Sequence, residues 1–191
     1  MDLDIIRENM KMLLKESRYI HSLGVEEVAC DLAIIHGYDM EKASIAGILH
    51  DCARNMTDQQ LIEECETHHI PVSEIEKKCG FLLHGKIGAL YAKEKFGVKD
   101  QEILDAIIYH TTGRPEMTLL EKIIFTADYI EPYRRPLPRI DEIRKAAYFN
   151  LDLAVYMILE NTLFYLVDSG SVIDHTTVET YKYYESVLQT H

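Results

Sequence analysis

Ala46-Gly47-Ile48-Leu49-His50-Asp51-Cys52-Ala53-Arg54 is an apolar run that ends by offering an imidazole and a carboxylate side by side. Burying an ionised carboxylate is costly unless it is paired or bound to a metal. Adjacent helical residues point about 100° apart, and near a helix end both side chains can converge on one ion between their directions. His50 and Asp51 are therefore candidate metal ligands. The competing reading is a capping aspartate beside a buried histidine.

Working outward from this stretch, nearly every segment has helical period. Asp39 is placed to cap a helix over 40–53 that carries the pair. Upstream, residues 3–15 align Ile5, Ile6, Met10, Leu13 and Leu14, and residues 18–35 align Val25, Val28, Leu32 and Ile35, with Gly37 as a stop. Thr57 with Gln60, and Thr118 with Glu121, form capping-box patterns ahead of apolar runs. Further helices fit 85–96, 100–110, 139–148, 151–168 and 176–188. Strand signals are weak, with no Asn-Gly or Asp-Gly turn. The prolines at 71, 115, 132, 136 and 138 fall in connections, and Pro132–Pro138 is the longest irregular stretch. The expected fold is all-α, one helical domain over residues 1–191.

A formal net charge of −12 disfavours nucleic acid and anionic membranes as partners. A phosphate-rich substrate is disfavoured too, unless bound cations reverse the local field. There is no apolar run long enough to span a membrane. The start, Met1-Asp2-Leu3-Asp4, lacks the basic and apolar parts of a secretory signal, so a cytoplasmic location is expected. Cys30, Cys52, Cys65 and Cys79 contain no C-x-x-C pair and read as reduced thiols. The residues do not specify an oligomeric state; a homodimer is the default oligomer.

Nine histidines are present. His191 is terminal, His68-His69 ends a polar helix, and His36 and His175 read as satisfying local structure. His21, His50, His84 and His110 lie near predicted helix ends. Asp128 sits inside the apolar run Ile124-Phe125-Thr126-Ala127-Asp128-Tyr129-Ile130, where an unpaired charge is improbable. Four histidines and two carboxylates suit iron, manganese, cobalt or zinc better than magnesium or calcium. Asp128 could instead pair with Arg134 or Arg135. Arg18, Arg54 and Lys86, each within three residues of a proposed site residue, are candidate phosphate contacts, as are Arg114, Arg134, Arg135 and the Thr111 hydroxyl. Surface solvation is the competing reading for the cations. Tyr181, Tyr183 and Tyr184 read as the packed face of a terminal helix.

The ordered series His21, His50-Asp51, His84, His110, Asp128 resembles the HD-domain superfamily of metal-dependent phosphohydrolases. The strings Arg18-Tyr-Ile-His21-Ser-Leu-Gly-Val25, Ala46 to Arg54, Leu83-His84-Gly-Lys86, Tyr109-His110-Thr-Thr-Gly-Arg114 and Thr126-Ala-Asp128-Tyr-Ile-Glu-Pro132 resemble the bacterial YqeK family more closely. The resemblance covers about residues 1–190. It implies an HD-domain helical bundle and an iron-containing hydrolase that splits diadenosine tetraphosphate symmetrically into two ADP. By the family pattern, His21, His50, Asp51 and Asp128 hold the principal metal, and His84 and His110 face a second metal or the phosphates.

The expected mechanism uses a metal to lower the pKa of water, which then attacks an inner phosphorus. Asp51, His84 and His110 are its catalytic residues, with Asp51 bridging if a second ion binds. Arg18, Arg54 and Lys86 balance phosphate charge. Two other readings stand beside it: hydrolysis of another nucleotide, such as a guanosine alarmone or deoxynucleotide, and a nucleotide sensor without turnover.

Overall fold

Local capping chemistry starts most of the helices. In the computed structural model, which describes residues 2–189, Asp2 caps α1 (Leu3–Leu13) by accepting from the amides of Asp4 and Ile5. His191 lies outside the described residues. Helix α2 (Glu16–His36) ends on Gly37, whose φ of 70° supplies the left-handed turn that stops it. Asp39 caps α3 (Met40–Leu49), and both anticipated capping boxes form, Thr57 with Gln60 ahead of α4 (Asp58–Thr67) and Thr118 with Glu121 ahead of α8 (Leu119–Ile130). The remaining helices are α5 (Glu74–Lys78), α6 (His84–Glu94), α7 (Gln101–Tyr109), α9 (Ile140–Phe149), α10 (Leu151–Asp168) and α11 (His175–Gln189), with a 3₁₀ turn at Gly80–Leu83. No strand occurs among the described residues, and the architecture is the expected all-α bundle.

One local expectation is corrected, and one further helix is found. The helix expected over 40–53 ends at Leu49, and the chain tightens into i→i+3 turns, with the Cys52 amide on the Leu49 carbonyl and the Arg54 amide on the Asp51 carbonyl. Helix α5 was not anticipated. Its five residues are too few to show a period, although Ser73 and Glu76 complete a capping box there.

Helix α2 packs on α3 and α8, and α7 packs on α3, α6 and α8. Helix α10 joins α8, α9 and α11. Side chains such as Leu32, Ile48, Leu49, Ile107, Ile123 and Ile124 are fully buried where these elements meet. Each contributes about 1.5–3 kcal/mol relative to exposure. Gly85 allows one close crossing, since a Cβ there would lie 2.6 Å from the Ile108 carbonyl oxygen. That approach seats the start of α6 against the end of α7, where His84 and His110 stand.

Candidate metal centre

Helix ends leave their last carbonyls without intrahelical partners. Three histidines use this. The Nδ1–H of His50 donates to the Gly47 carbonyl at 2.7 Å, and that of His110 to the Ile107 carbonyl at 2.7 Å. The Nδ1–H of His84 donates to the Phe81 carbonyl at the end of the 3₁₀ turn. In each case the acceptor is three residues back. A carbonyl only accepts, so Nδ1 carries the proton and the Nε2 lone pair is aimed inward.

His21 lies inside α2, where backbone carbonyls are already engaged. Its Nδ1–H donates instead to Glu131 Oε1 at 3.0 Å, from the buried end of α8. The other Glu131 oxygen accepts the Tyr133 amide at 2.6 Å, and Arg144 holds the Glu131 carbonyl. Glu131 was missed in the sequence. The signal available there was a second acid three residues after Asp128.

The Nε2 atoms converge on two carboxylates. Asp51 Oδ2 is 3.7 Å from His21 Nε2 and 3.4 Å from His50 Nε2, while its Oδ1 is 3.3 Å from His84 Nε2 and 3.7 Å from His110 Nε2. Asp128 Oδ1 is 3.0 Å from His21 Nε2 and 3.8 Å from His50 Nε2. Three overlapping sets result: His21, His50 and Asp51; His50, His110 and Asp128; and Asp51, His84 and His110. The ligand atoms of each set lie within 4.8 Å of one another. Asp51 belongs to two sets and faces one with each oxygen, the arrangement a bridging ligand needs.

This donor set fits a borderline transition metal. The Nε2 atom of His50 is buried and has no hydrogen-bond partner among the described residues, and that of His21 is buried facing the Asp128 carboxylate at 3.0 Å. Such atoms are costly to bury unless something meets their lone pairs. The Nε2 atoms of His84 and His110 lie 3.0 Å apart, so a proton or a cation must hold them together. Imidazole with carboxylate suits iron, manganese, cobalt or zinc.

Electrostatics agree. Burial opposes the Asp51 charge, but His50, His110 and His84 outweigh it and hold the carboxyl well below its ordinary range. Burial likewise opposes the charge on Asp128, and Arg134, His21 and His50 overcome it. His21 is pushed up to about 9, because Asp128 and Glu131 together outweigh its burial. His84 is lowered by burial and by His110, whereas His110 is raised by Asp51 and Asp128 despite its own burial. The two imidazoles thus differ in proton affinity.

All six residues of the expected series therefore meet. Of the cations, Arg18 reaches Asp51 at 2.7 Å and Arg134 reaches Asp128 at 2.7 Å, which realises the alternative pairing of Asp128. Arg134 and Arg135 line a cleft of about 440 Å³ that opens beside His110, Thr111 and Asp128. The Thr111 hydroxyl is 3.1 Å from His110 Nε2 and 3.4 Å from His84 Nε2. The other three cations are not brought to the cluster. Lys86 is held by Glu76 and the Pro71 carbonyl, Arg54 lies over the Phe81 ring, and Arg114 pairs with buried Glu121. Lys86 and Arg54, close to the site in sequence, thus meet Glu76 and the Phe81 ring instead.

The local-structure histidines behave as expected: His36 bonds the Ala147 carbonyl, and His175 lies beside Glu179. The four thiols are free, and Cys52 faces the Gly88 carbonyl in the core. Tyr184 is buried and Tyr181 stacks on Tyr156. No helix of the described residues is long and apolar enough to cross a membrane.

Comparison with known proteins bears on the chemistry. The HD domain family model matches residues 18–133. The chain is 40% identical over 174 residues to the symmetrical bis(5'-nucleosyl)-tetraphosphatase of Bacillus subtilis, covering 91% of this chain and 92% of that protein. It is 36% identical over 186 residues to the protein of the same name from Staphylococcus aureus, covering 96% and 95%. A crystal structure of a predicted HD superfamily hydrolase involved in NAD metabolism, from Clostridium acetobutylicum, superimposes with a TM-score of 0.94 at 42% identity and covers 98% of each chain. With the imidazole–carboxylate cluster inside the matched segment, the chain belongs to the HD domain family of hydrolases, on the branch of the symmetrical bis(5'-nucleosyl)-tetraphosphatases.

Proposed function

We propose that this protein hydrolyses dinucleoside tetraphosphates symmetrically, converting diadenosine tetraphosphate to two ADP, with iron as its metal. The observation that carries the reading is the convergence of four imidazole Nε2 atoms on Asp51 and Asp128. His21, His50, Asp51 and Asp128 would hold the principal ion, and His84 and His110 would hold a second or meet the phosphates. When bound, the metal supplies Lewis acidity, which acidifies water near neutral pH and neutralises phosphate charge.

The protein's own residues do the rest. Arg134 and Arg135 enter the cleft from the Pro132–Pro138 segment and offer guanidinium forks to phosphate. Arg18 donates to Asp51 Oδ2 at 2.7 Å and brings a further positive charge to the edge of the cluster. If no second ion binds, one of His84 and His110, whose Nε2 atoms lie 3.0 Å apart beside the Thr111 hydroxyl, would donate a proton or hydrogen bond to the leaving oxygen. The substrate is thus a nucleotide polyphosphate. The acidic chain and its four free thiols favour a cytoplasmic setting, without nucleic acid or membrane as partner.

Elemental analysis of freshly purified protein, paired with chromatography of products, tests this. Iron in the protein and ADP as sole product are expected. ATP plus AMP from diadenosine tetraphosphate would refute the symmetrical reaction, and another bound metal would refute iron.

A further inference from the structure

The cleft beside the cluster is not solitary. A second, of about 320 Å³, opens on the other side of Thr111, between Phe81 at the 3₁₀ turn, Leu166 near the end of α10, and Val172. Thr111, Thr162 and Tyr165 line both clefts. They form a shared ridge, and the ridge stands at the cluster, because the Thr111 hydroxyl lies 3.1 Å from His110 Nε2.

The two arms differ in charge. Arg134 and Arg135 line the first, whereas no cation lines the second, which offers aromatic and aliphatic walls with the polar groups Thr112, Ser171 and Asp174. A cavity without cations and with one carboxylate repels phosphate. It suits an uncharged aromatic group that carries hydroxyls. Both volumes fall within the roughly 300–1,000 Å³ of small-ligand sites. Tyr165, 61% exposed on the ridge, presents a ring to whatever enters.

We propose that the second cleft binds the second nucleoside of the substrate, so that a dinucleotide straddles the Thr111–Thr162–Tyr165 ridge. This rests on the dinucleoside tetraphosphate reading above. A molecule with a nucleoside in each arm has its middle over the ridge. The central anhydride is thereby registered against the His84 and His110 imidazoles, and each half leaves by its own arm as a nucleoside diphosphate.

The test is ADP binding to the metal-loaded protein by titration calorimetry. The wild-type chain should bind two ADP. Val172→Trp and Ser171→Trp, which fill the second arm, should bind one. In kinetics, wild type should show a KM for diadenosine tetraphosphate about tenfold below that for adenosine 5'-tetraphosphate, which lacks the second nucleoside, the scale of one stacked base. In both variants this preference should fall toward one. Circular dichroism confirms that each variant is folded, and the wild-type stoichiometry needs no variant. A single ADP per wild-type chain that turns over diadenosine tetraphosphate, or an undiminished preference in a folded variant, overturns the second arm alone. Wild type that releases no ADP from the dinucleotide overturns the underlying activity as well.

Discussion

Glu131 Oε1 accepts the Nδ1–H of His21 at 3.0 Å, across 110 residues of sequence. His50, His84 and His110 orient their rings on carbonyls three residues away, at the ends of their own helical segments. His21 sits in mid-helix, so a partner must come from another element. A full negative charge there also makes the imidazole a stronger donor than a carbonyl would.

Glu131→Gln keeps an oxygen for the Nδ1–H but removes the charge. Metal affinity should fall about 10-fold, and about 100-fold in Glu131→Ala, the range found for partners of ligating histidines. Calorimetric titration of metal into chelator-treated protein measures this. Gly24→Ala belongs with them, since its Cβ would lie 2.6 Å from Glu131 Oε2. Wild-type affinity in all three would show that the carboxylate does not tune His21.

Asp51→Ala should abolish bound metal and lower hydrolysis by about 10³-fold or more, on the scale of several kcal/mol of lost charge stabilisation. The far-ultraviolet dichroism should remain helical, because Asp51 lies in the turns after α3 rather than in a helix interior. Retention of both metal and activity would remove the central claim about the cluster.

The cations that reach the cluster and those that do not make a paired prediction. Arg134→Met should raise KM about 10- to 100-fold, the scale of a lost charge-assisted hydrogen bond at 1.5–3 kcal/mol. Lys86→Met should stay within about twofold, since its ammonium is committed to Glu76. Steady-state kinetics decide, and the reverse ranking would restore the sequence-neighbour reading of Lys86.

Chelation should destabilise the fold. At metal 100-fold above its Kd, binding contributes about 2.7 kcal/mol, and about 2–4 °C of Tm accompanies each kcal/mol at this chain length. A loss of roughly 5–10 °C in calorimetry on chelator treatment is expected. An unchanged Tm would mean that the buried Nε2 lone pairs need no cation.

The Glu76–Lys86 pair gives stability a pH dependence away from the centre. Burial raises the Glu76 pKa, but Lys86 and the Ser73 amide outweigh it, so the folded value is depressed below 4.5. The stabilisation is therefore present above the unfolded pKa and is lost as pH falls through the folded one. Denaturant unfolding from pH 7 to 3 should show Glu76→Gln less stable than wild type at neutral pH and converging with it in acid. Parallel curves would refute the linkage.

What the sequence determined by itself was whatever depends on neighbours a few residues apart. Asp39, Thr57 and Thr118 cap their helices as the residue pattern required, and Gly37 stops α2, because caps and stops act within one turn of backbone. The six ligand candidates were also legible, since an imidazole or carboxylate inside an apolar run needs a partner wherever it folds. Tertiary structure alone decided which partners they have. Tight turns replaced the last helical turn after Leu49, Glu131 arrived at His21 from the end of α8, and Arg18 and Arg134 reached the carboxylates while Lys86 and Arg54 were held elsewhere. Contacts spanning 33 residues from Arg18 to Asp51, or 110 from His21 to Glu131, depend on how whole helices pack. No local pattern encodes that geometry.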